Sequence, residues 1–214
     1  MADRLFVMLM SLLGLLAAVV LASPVIAQTA EAPDARLAEI LAEARKAAAT
    51  PGACARPDPE ALVQIYCRGE IRIGVRERYP LFGFMAQEER VGYDVDTGRA
   101  VAHKLGVTPR FQTVNAADRI SKLAEGRIDL IIATMGHNTQ RDGQVRFIRP
   151  HYYRSETILV GPRDLKITDW HDIAGRSVCV TIGNGSNAQL VSRGARLMLF
   201  DAVGILPARL QDGT

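Results

Sequence analysis

Three arginines carry the clearest chemistry in this sequence. Arg76 directly follows the apolar run Ile71–Val75, Arg119 opens the helical pattern after the run that ends at Val114, and Arg141 lies one loop beyond IDLIIA, residues 128–133. A guanidinium binds a carboxylate through two parallel hydrogen bonds and keeps its charge at any ordinary pH. One such arginine alone reads as an exposed side chain in weak ion pairs. Three at consecutive strand ends read as a carboxylate site. Tyr79, Phe82 and Phe84 crowd the first of these loops, in RYPLFGF. They read equally as a wall over a small ligand and as a loop packed on its own domain. Asp94 and Asp96 form a carboxylate pair that could do acid–base work. The structural reading is the better one, with Asp96 as the N-cap of a helix over about 97–104.

A fourth feature is the turn Gly183-Asn184-Gly185-Ser186, which joins an apolar strand pattern to a helix start. Backbone N–H groups there, with the helix dipole, suit an anion. Gly183, Gly185 and Ala188 also match G-x-G-x-x-A, and Asp201 follows near where a ribose-binding acid would stand in a dinucleotide fold. No G-x-S-x-G motif is present, and Ser186 has no evident His and Asp partners. None of His103, His137, His151 and His171 stands at metal-ligand spacing to a cysteine, so no metal is implied.

The elements that must position these residues alternate. Ile71–Val75 predicts a strand, and 97–104 a helix stopped by Gly106. Residues 109–114 predict a second strand, and Asn115 the cap of a helix stopped by Gly126. Residues 128–133 predict a third, fully apolar strand. Near-continuous apolar strands separated by helices argue an α/β fold with a parallel sheet covered on both faces. Ligands of such sheets bind at the carboxyl ends of the strands, which is where the arginines fall. QVRFI (144–148) and ETILVG (156–161) predict two more strands. After Pro162 a second α/β pattern starts: a helical or turn-like stretch over 168–175, a strand over 177–182, a helix from Ser186, a strand over 196–200 and a last helix weakened by Pro207. Two strands are too few for a closed sheet, so the second lobe reads as incomplete and the chain as truncated.

The whole chain has 214 residues, 48% of them hydrophobic, which excludes wholesale disorder. Lys+Arg of 26 against Asp+Glu of 23 gives +3 with no basic stripe, so nucleic acid is not an expected partner. Arg4, the apolar run Leu5–Ala22 and the small residues Val25 and Ala27 have the layout of a signal peptide over residues 1–27, with an uncleaved anchor as the alternative. Either places the remainder outside the cytoplasm, where nicotinamide cofactors are scarce. That disfavours the dinucleotide reading, and no cofactor is expected. Residues 28–69 read as a helical extension, with Leu37, Ile40, Leu41 and Ala44 at helical spacing. Export makes a disulfide between Cys54 and Cys67 plausible, because the short segment between them can bring them together. Cys179 reads as a buried thiol.

Four stretches, in order and at the right spacing, resemble the extracellular solute-binding proteins of polar amino-acid ABC transporters, family 3. They are IRIGVRERYPLFGF, VGYDVDTGRAVAHKLGV, DRISKLAEGRIDLIIATM and NTQRDGQVRFIRPHYY. The resemblance runs from about Glu70 to Thr214. It implies a two-lobed periplasmic-binding-protein-like fold, with a first lobe over 70–162 and part of a second over 163–214. It implies that Arg141 clamps the α-carboxylate of an amino acid beside Thr134 and Gly136. Gly136 departs from the Ser or Thr of many members. Arg76 and Arg119 fall where members specific for glutamate and aspartate carry arginines, and Thr181 and Asn184 where the second lobe closes on the ligand. Phe82 belongs to the aromatic loop of that site. The implied partner is a membrane permease, and the implied location is the periplasm. A rival on the same fold is an exported cyclohexadienyl or arogenate dehydratase-like enzyme. It needs an acid in the cleft, and residues 177–214 contain no Glu. A sensor or partner domain would need a fused signalling segment.

Overall fold

The computed structural model describes residues 33–55 and 60–212, so the signal-peptide reading of residues 1–27 lies outside the described residues. The chain divides into two compact units, Met1–Glu39 and Ile40–Thr214. The first is described only from residue 33, as the opening of helix α1 (Pro33–Ala48). In the second unit, α1 buries Leu41 and Ala44, which share one helical face. Its Arg45 stacks over the Tyr66 ring and donates to the Leu105 carbonyl at 2.9 Å. Helix α2 (Ala61–Arg68) follows and ends at Gly69, whose φ of 67° suits the left-handed cap that glycine adopts freely. Cys67 on α2 is disulfide-bonded to Cys54.

The central sheet contains β1 (Glu70–Val75), β5 (Thr108–Thr113) and β6 (Leu130–Ile131), all parallel, with β1 in the middle. Its register pairs Val75 with Thr113 and Gly74 with Ile131, so the carboxyl ends of the strands fall together. Alternation along β1 sends Ile71, Ile73 and Val75 to one face, where they pack with Ile65 of α2 and with Val95 and Ala102 of α3 (Tyr93–Leu105). The other face is covered by Val114, Ile128 and Ala133, with Leu123 of α4 (Arg119–Ala124). Gly74 points to that second face. A Cβ there would sit 2.7 Å from Ile128 and 2.9 Å from Val114, so these two side chains seat as closely as they do on β1 only because the side chain is missing. This is the covered parallel sheet that the sequence predicts.

Between β1 and α3 runs an antiparallel meander that the sequence pattern does not predict: β2 (Arg78–Tyr79), β3 (Gly83–Ala86) and β4 (Glu89–Val91). Its turn carbonyls accept the first amides of α3, Tyr93 N–H to Leu81 and Asp94 N–H to Phe82. The helix therefore starts at Tyr93, earlier than expected. Asp96 is not its N-cap but an exposed first-turn residue paired with Arg99 at 2.9 Å. Asn115 caps the turn before α4 rather than the helix itself: its side chain accepts from Ala117 and Asp118, and Asp118 accepts from the Asn115 amide in return. The expected third strand shrinks to Leu130–Ile131, although the Ile132 amide still reaches Gly74. Residues 144–148 and 156–161 are not strands. Apolar alternation makes pairing favourable, but neither segment has a ladder partner among the described residues, and Ile158 and Val160 are exposed.

The second sheet holds β7 (Ser177–Thr181) and β8 (Arg196–Phe200) in parallel, crossed by α6 (Asn187–Ser192). Ile173, Val180, Leu190 and Ala195 form its core. Cys179 is only half-buried there, rather than the buried thiol expected. Pro207 does not weaken the last helix, α7 (Leu206–Gln211), because it stands in the first turn, where a missing N–H costs nothing. Among the described residues no helix is long and apolar enough to cross a membrane.

Candidate functional site

The site gathers at the carboxyl edge of the central sheet. Arg76 follows β1 directly, and Arg119 is the first residue of α4. Both are buried, 6% and 3% exposed, so neither is a solvated surface arginine. Arg76 lies over the Tyr79 ring, 5.3 Å from its centroid, and Arg119 donates to the Ala133 carbonyl at 2.6 Å. Arg141 sits on a short helical turn, α5 (Thr139–Asp142), capped by the Asn138 side chain. Its guanidinium donates to Gly136 O at 2.6 Å and to Gly183 O at 3.0 Å, and so bridges the loop after β6 to the turn after β7.

Burial lowers the affinity of all three arginines for their protons. The effect is largest at Arg119, which desolvation, with repulsion from Arg141 and Arg76, brings down to about 10. Arg119 therefore lies within electrostatic reach of both other arginines. A fourth group belongs with them. Asp94 is fully buried near the start of α3, and desolvation pushes its carboxyl up to about 6 against the Tyr152 hydroxyl, the Thr134 backbone, Arg76 and Arg119. Its Oδ1 accepts from the Tyr152 hydroxyl at 2.9 Å. The Asp94 Oδ2 and the Arg119 Nε are buried with no hydrogen-bond partner among the described residues. Sequence reasoning passed over Asp94 as structural and did not single out Tyr152. The available signal was the acid of G-aromatic-D beside two sheet-edge arginines; what hid it was that Tyr152 lies 58 residues away in sequence.

Phe82 joins an aromatic cluster, edge-on to Tyr79 at 5.6 Å, Tyr93 at 6.2 Å and Tyr153 at 4.9 Å between ring centres. Tyr93 also stacks on Tyr152 and donates to its carbonyl at 2.9 Å. The loop aromatics therefore pack against the 152–153 segment as well as their own meander. Thr134 adopts a φ of 49° beside Asp94, which is unusual for a β-branched residue. Gly136 is exposed with open space around it, and its contribution is the carbonyl that Arg141 holds.

Thr181 is buried at the end of β7, and its carbonyl accepts from the Asn187 side chain at 2.9 Å. Asn184 is exposed and turns its side-chain oxygen back to Ser186. Between them Gly183, at φ 71°, sits against the turn before α4. A Cβ there would lie 2.5 Å from the Ala116 carbonyl oxygen. The structure thus brings Arg76, Arg119 and Thr134 around Asp94, sets Arg141 within electrostatic reach of Arg119, and seats the Thr181–Asn184 turn on the same edge through Gly183. Asn184 itself reaches none of the three arginines by a direct hydrogen bond. Two cavities lie elsewhere, one of 660 Å³ lined by residues between Thr157 and Trp170 and one of 290 Å³ beside His137, Asp142 and Phe147.

Residues 71–202, which include every residue of this edge, match the family described as bacterial extracellular solute-binding proteins, family 3. The chain belongs to this family. Among its relatives are the arginine-binding extracellular protein ArtP of Bacillus subtilis, 28% identical over 112 residues (52% of this chain, 44% of the relative), and the glutamine-binding protein of Geobacillus stearothermophilus, 30% identical over 137 residues (62% and 52%). This solute-binding chain spans about half the length of the curated relatives it matches. Two solved structures share its fold. The ancestral amino acid-binding protein AncCDT-1, a precursor of cyclohexadienyl dehydratase, has a TM-score of 0.66 at 26% identity (72% of this chain, 70% of that one). Holo ArgBP from T. maritima has a TM-score of 0.61 at 25% identity (71% and 68%).

Proposed function

We propose that this protein binds a free α-amino acid, with an acidic one favoured, between the lobes formed by residues 70–162 and 163–214, and delivers it to an ABC-transporter permease from the periplasm. The observation that carries this reading is the Arg141 guanidinium bridging the loop after β6 to the turn after β7, on the sheet edge that also holds buried Arg76 and Arg119. In this reading Arg141 holds the α-carboxylate, Arg76 and Arg119 favour a second carboxylate, and Phe82, Thr134, Gly136, Thr181 and Asn184 line the remaining surface. Domain closure follows from ligand contacts made on both lobes at once. Residues 1–27 act as the export signal. Relatives named for arginine and glutamine binding support an amino acid as the ligand class.

The neighbour that is a precursor of a dehydratase keeps a second reading in view, an enzyme acting on prephenate or arogenate. That reading needs an acid in the cleft, and residues 177–214 of the second lobe contain no Glu to supply one. The test is titration of the purified chain with glutamate, aspartate, glutamine and arginine, followed by calorimetry and amide chemical shifts. We expect saturable binding that perturbs the segments around residues 76, 119 and 141 and that weakens at least about tenfold in Arg141→Ala, the loss of one bidentate charge-assisted contact. Turnover of prephenate or arogenate with no amino-acid binding would replace this reading with the enzymatic one.

A further inference from the structure

A buried charge is retained only when partners or solvent compensate it. Around Asp94 the partners are these: Arg76 from the end of β1, Arg119 from α4, the Tyr152 hydroxyl from the segment after Pro150, the Thr134 backbone, and Tyr93 on its own helix through Tyr152. Asp118 also acts on Arg76, but Asp94 is the one carboxylate among the described residues that acts on both arginines. Only one Asp94 oxygen is hydrogen-bonded, and Arg119 keeps a buried Nε with no partner. Arg119 thus has Asp94 as its one carboxylate partner in this group, and Asp94 has one oxygen unused.

We propose that Asp94 is the resident counter-ion of Arg76 and Arg119, and that a carboxylate arriving at those arginines binds together with a proton taken up by Asp94. The proposal rests on the amino-acid-binding reading above and names the specificity determinant of that site. Two carboxylates against the same guanidinium pair in a dry environment repel each other, so the second to arrive raises the proton affinity of the first. The free carboxyl already holds its proton up to about pH 6. Near neutral pH it is therefore poised to take one from solvent when an anion binds, with no other co-reactant needed. A ligand with a neutral side chain places no second carboxylate there and draws no proton. Ligand charge and pH are then read by one residue: an acidic amino acid gains over its amide as the medium becomes more acidic.

Calorimetry of the whole chain in buffers of different ionisation enthalpy tests this without any variant. We expect glutamate binding to take up as much as about one proton near pH 7, and its Kd to weaken about tenfold between about pH 5.5 and about pH 8. Glutamine should show neither effect. In Asp94→Asn, whose amide oxygen can still accept from Tyr152, glutamate affinity should be flat over the same range, and a thermal melt checks that the variant is folded. Glutamate binding with no proton uptake overturns the proposal and leaves the amino-acid reading intact. So does a pH dependence retained in Asp94→Asn, which would belong to another group. Binding of neutral amino acids alone also overturns it. Failure of every amino acid to bind removes both.

Discussion

Asp94 concentrates the electrostatic tension of the molecule in one carboxyl group. Its folded-state proton affinity, near pH 6, exceeds the ordinary value of 3.8 that the unfolded chain restores. Between those values the folded protein binds more protons than the unfolded one, so the Asp94 contribution to stability falls as pH rises from about 4 to about 6. Asp94→Asn should flatten this part of the stability profile, which urea unfolding at a series of pH values will read. A wild-type profile with no descending component across that window, identical to the variant's, would remove the burial penalty from the account. Arg119 shows the mirror image: its guanidinium, short of one partner, is brought down to about 10 by burial and by its two neighbours. Both groups are held in costly positions by the surrounding packing, a pattern more common at binding sites than in cores.

At the scale of elements, the short strand β6 is held by more than its ladder. Asp129, just before it, accepts from the Arg72 amide at 2.8 Å, from two nitrogens of the Arg72 guanidinium and from Arg68 at 2.8 Å, while its own amide donates to the Arg72 carbonyl. These contacts hold the Asp129 carboxyl below the usual carboxylate range despite its burial. Because both arginines stay partly solvated, Asp129→Ala should cost only about 1–2 kcal/mol, measured by urea unfolding at neutral pH. The depressed carboxyl stabilises the fold above its ordinary titration range, and that contribution is lost as pH falls through the folded value. A change below about 0.3 kcal/mol would mean that the ladder alone holds β6. The same strand shows the limits of pattern reading. Residues 128–133 look like one apolar strand, but an acid in second place, bonded sideways to β1, replaces part of the expected pairing.

At the scale of the whole molecule, the disulfide joins the segment after α1 to α2, which packs on the central sheet. Cys54 and Cys67 are 13 residues apart, with Cα atoms 5.4 Å from each other. Closing a loop of that size in the unfolded chain contributes about 2–3 kcal/mol. Adding reductant should therefore lower the Tm by about 5–10 °C, and calorimetry with and without reductant will show it. Cys54 is exposed, so reductant reaches it without unfolding. An unchanged Tm would mean that the loop is already constrained by the packing of α1 and α2.

Local pattern alone determined a good deal about this protein. The alternation of apolar strands and helices predicts the covered parallel sheet, and the positions of Arg76, Arg119 and Arg141 after three strands predict the edge where they meet, because strand order and side-chain period follow from nearest neighbours in the chain. The four stretches of family resemblance likewise sit in the sequence itself. Other features were decided by partners distant in sequence. The meander around Phe82 moves the start of α3 to Tyr93 and turns Asp96 outward. The segments at 144–148 and 156–161 find no ladder to join. Tyr152 comes back across 58 residues to Asp94, and Gly183 meets Ala116. Whether an aspartate is a helix cap or a buried counter-ion depends on how much water the packing leaves around it, and desolvation is a property of the assembled fold rather than of any window of sequence.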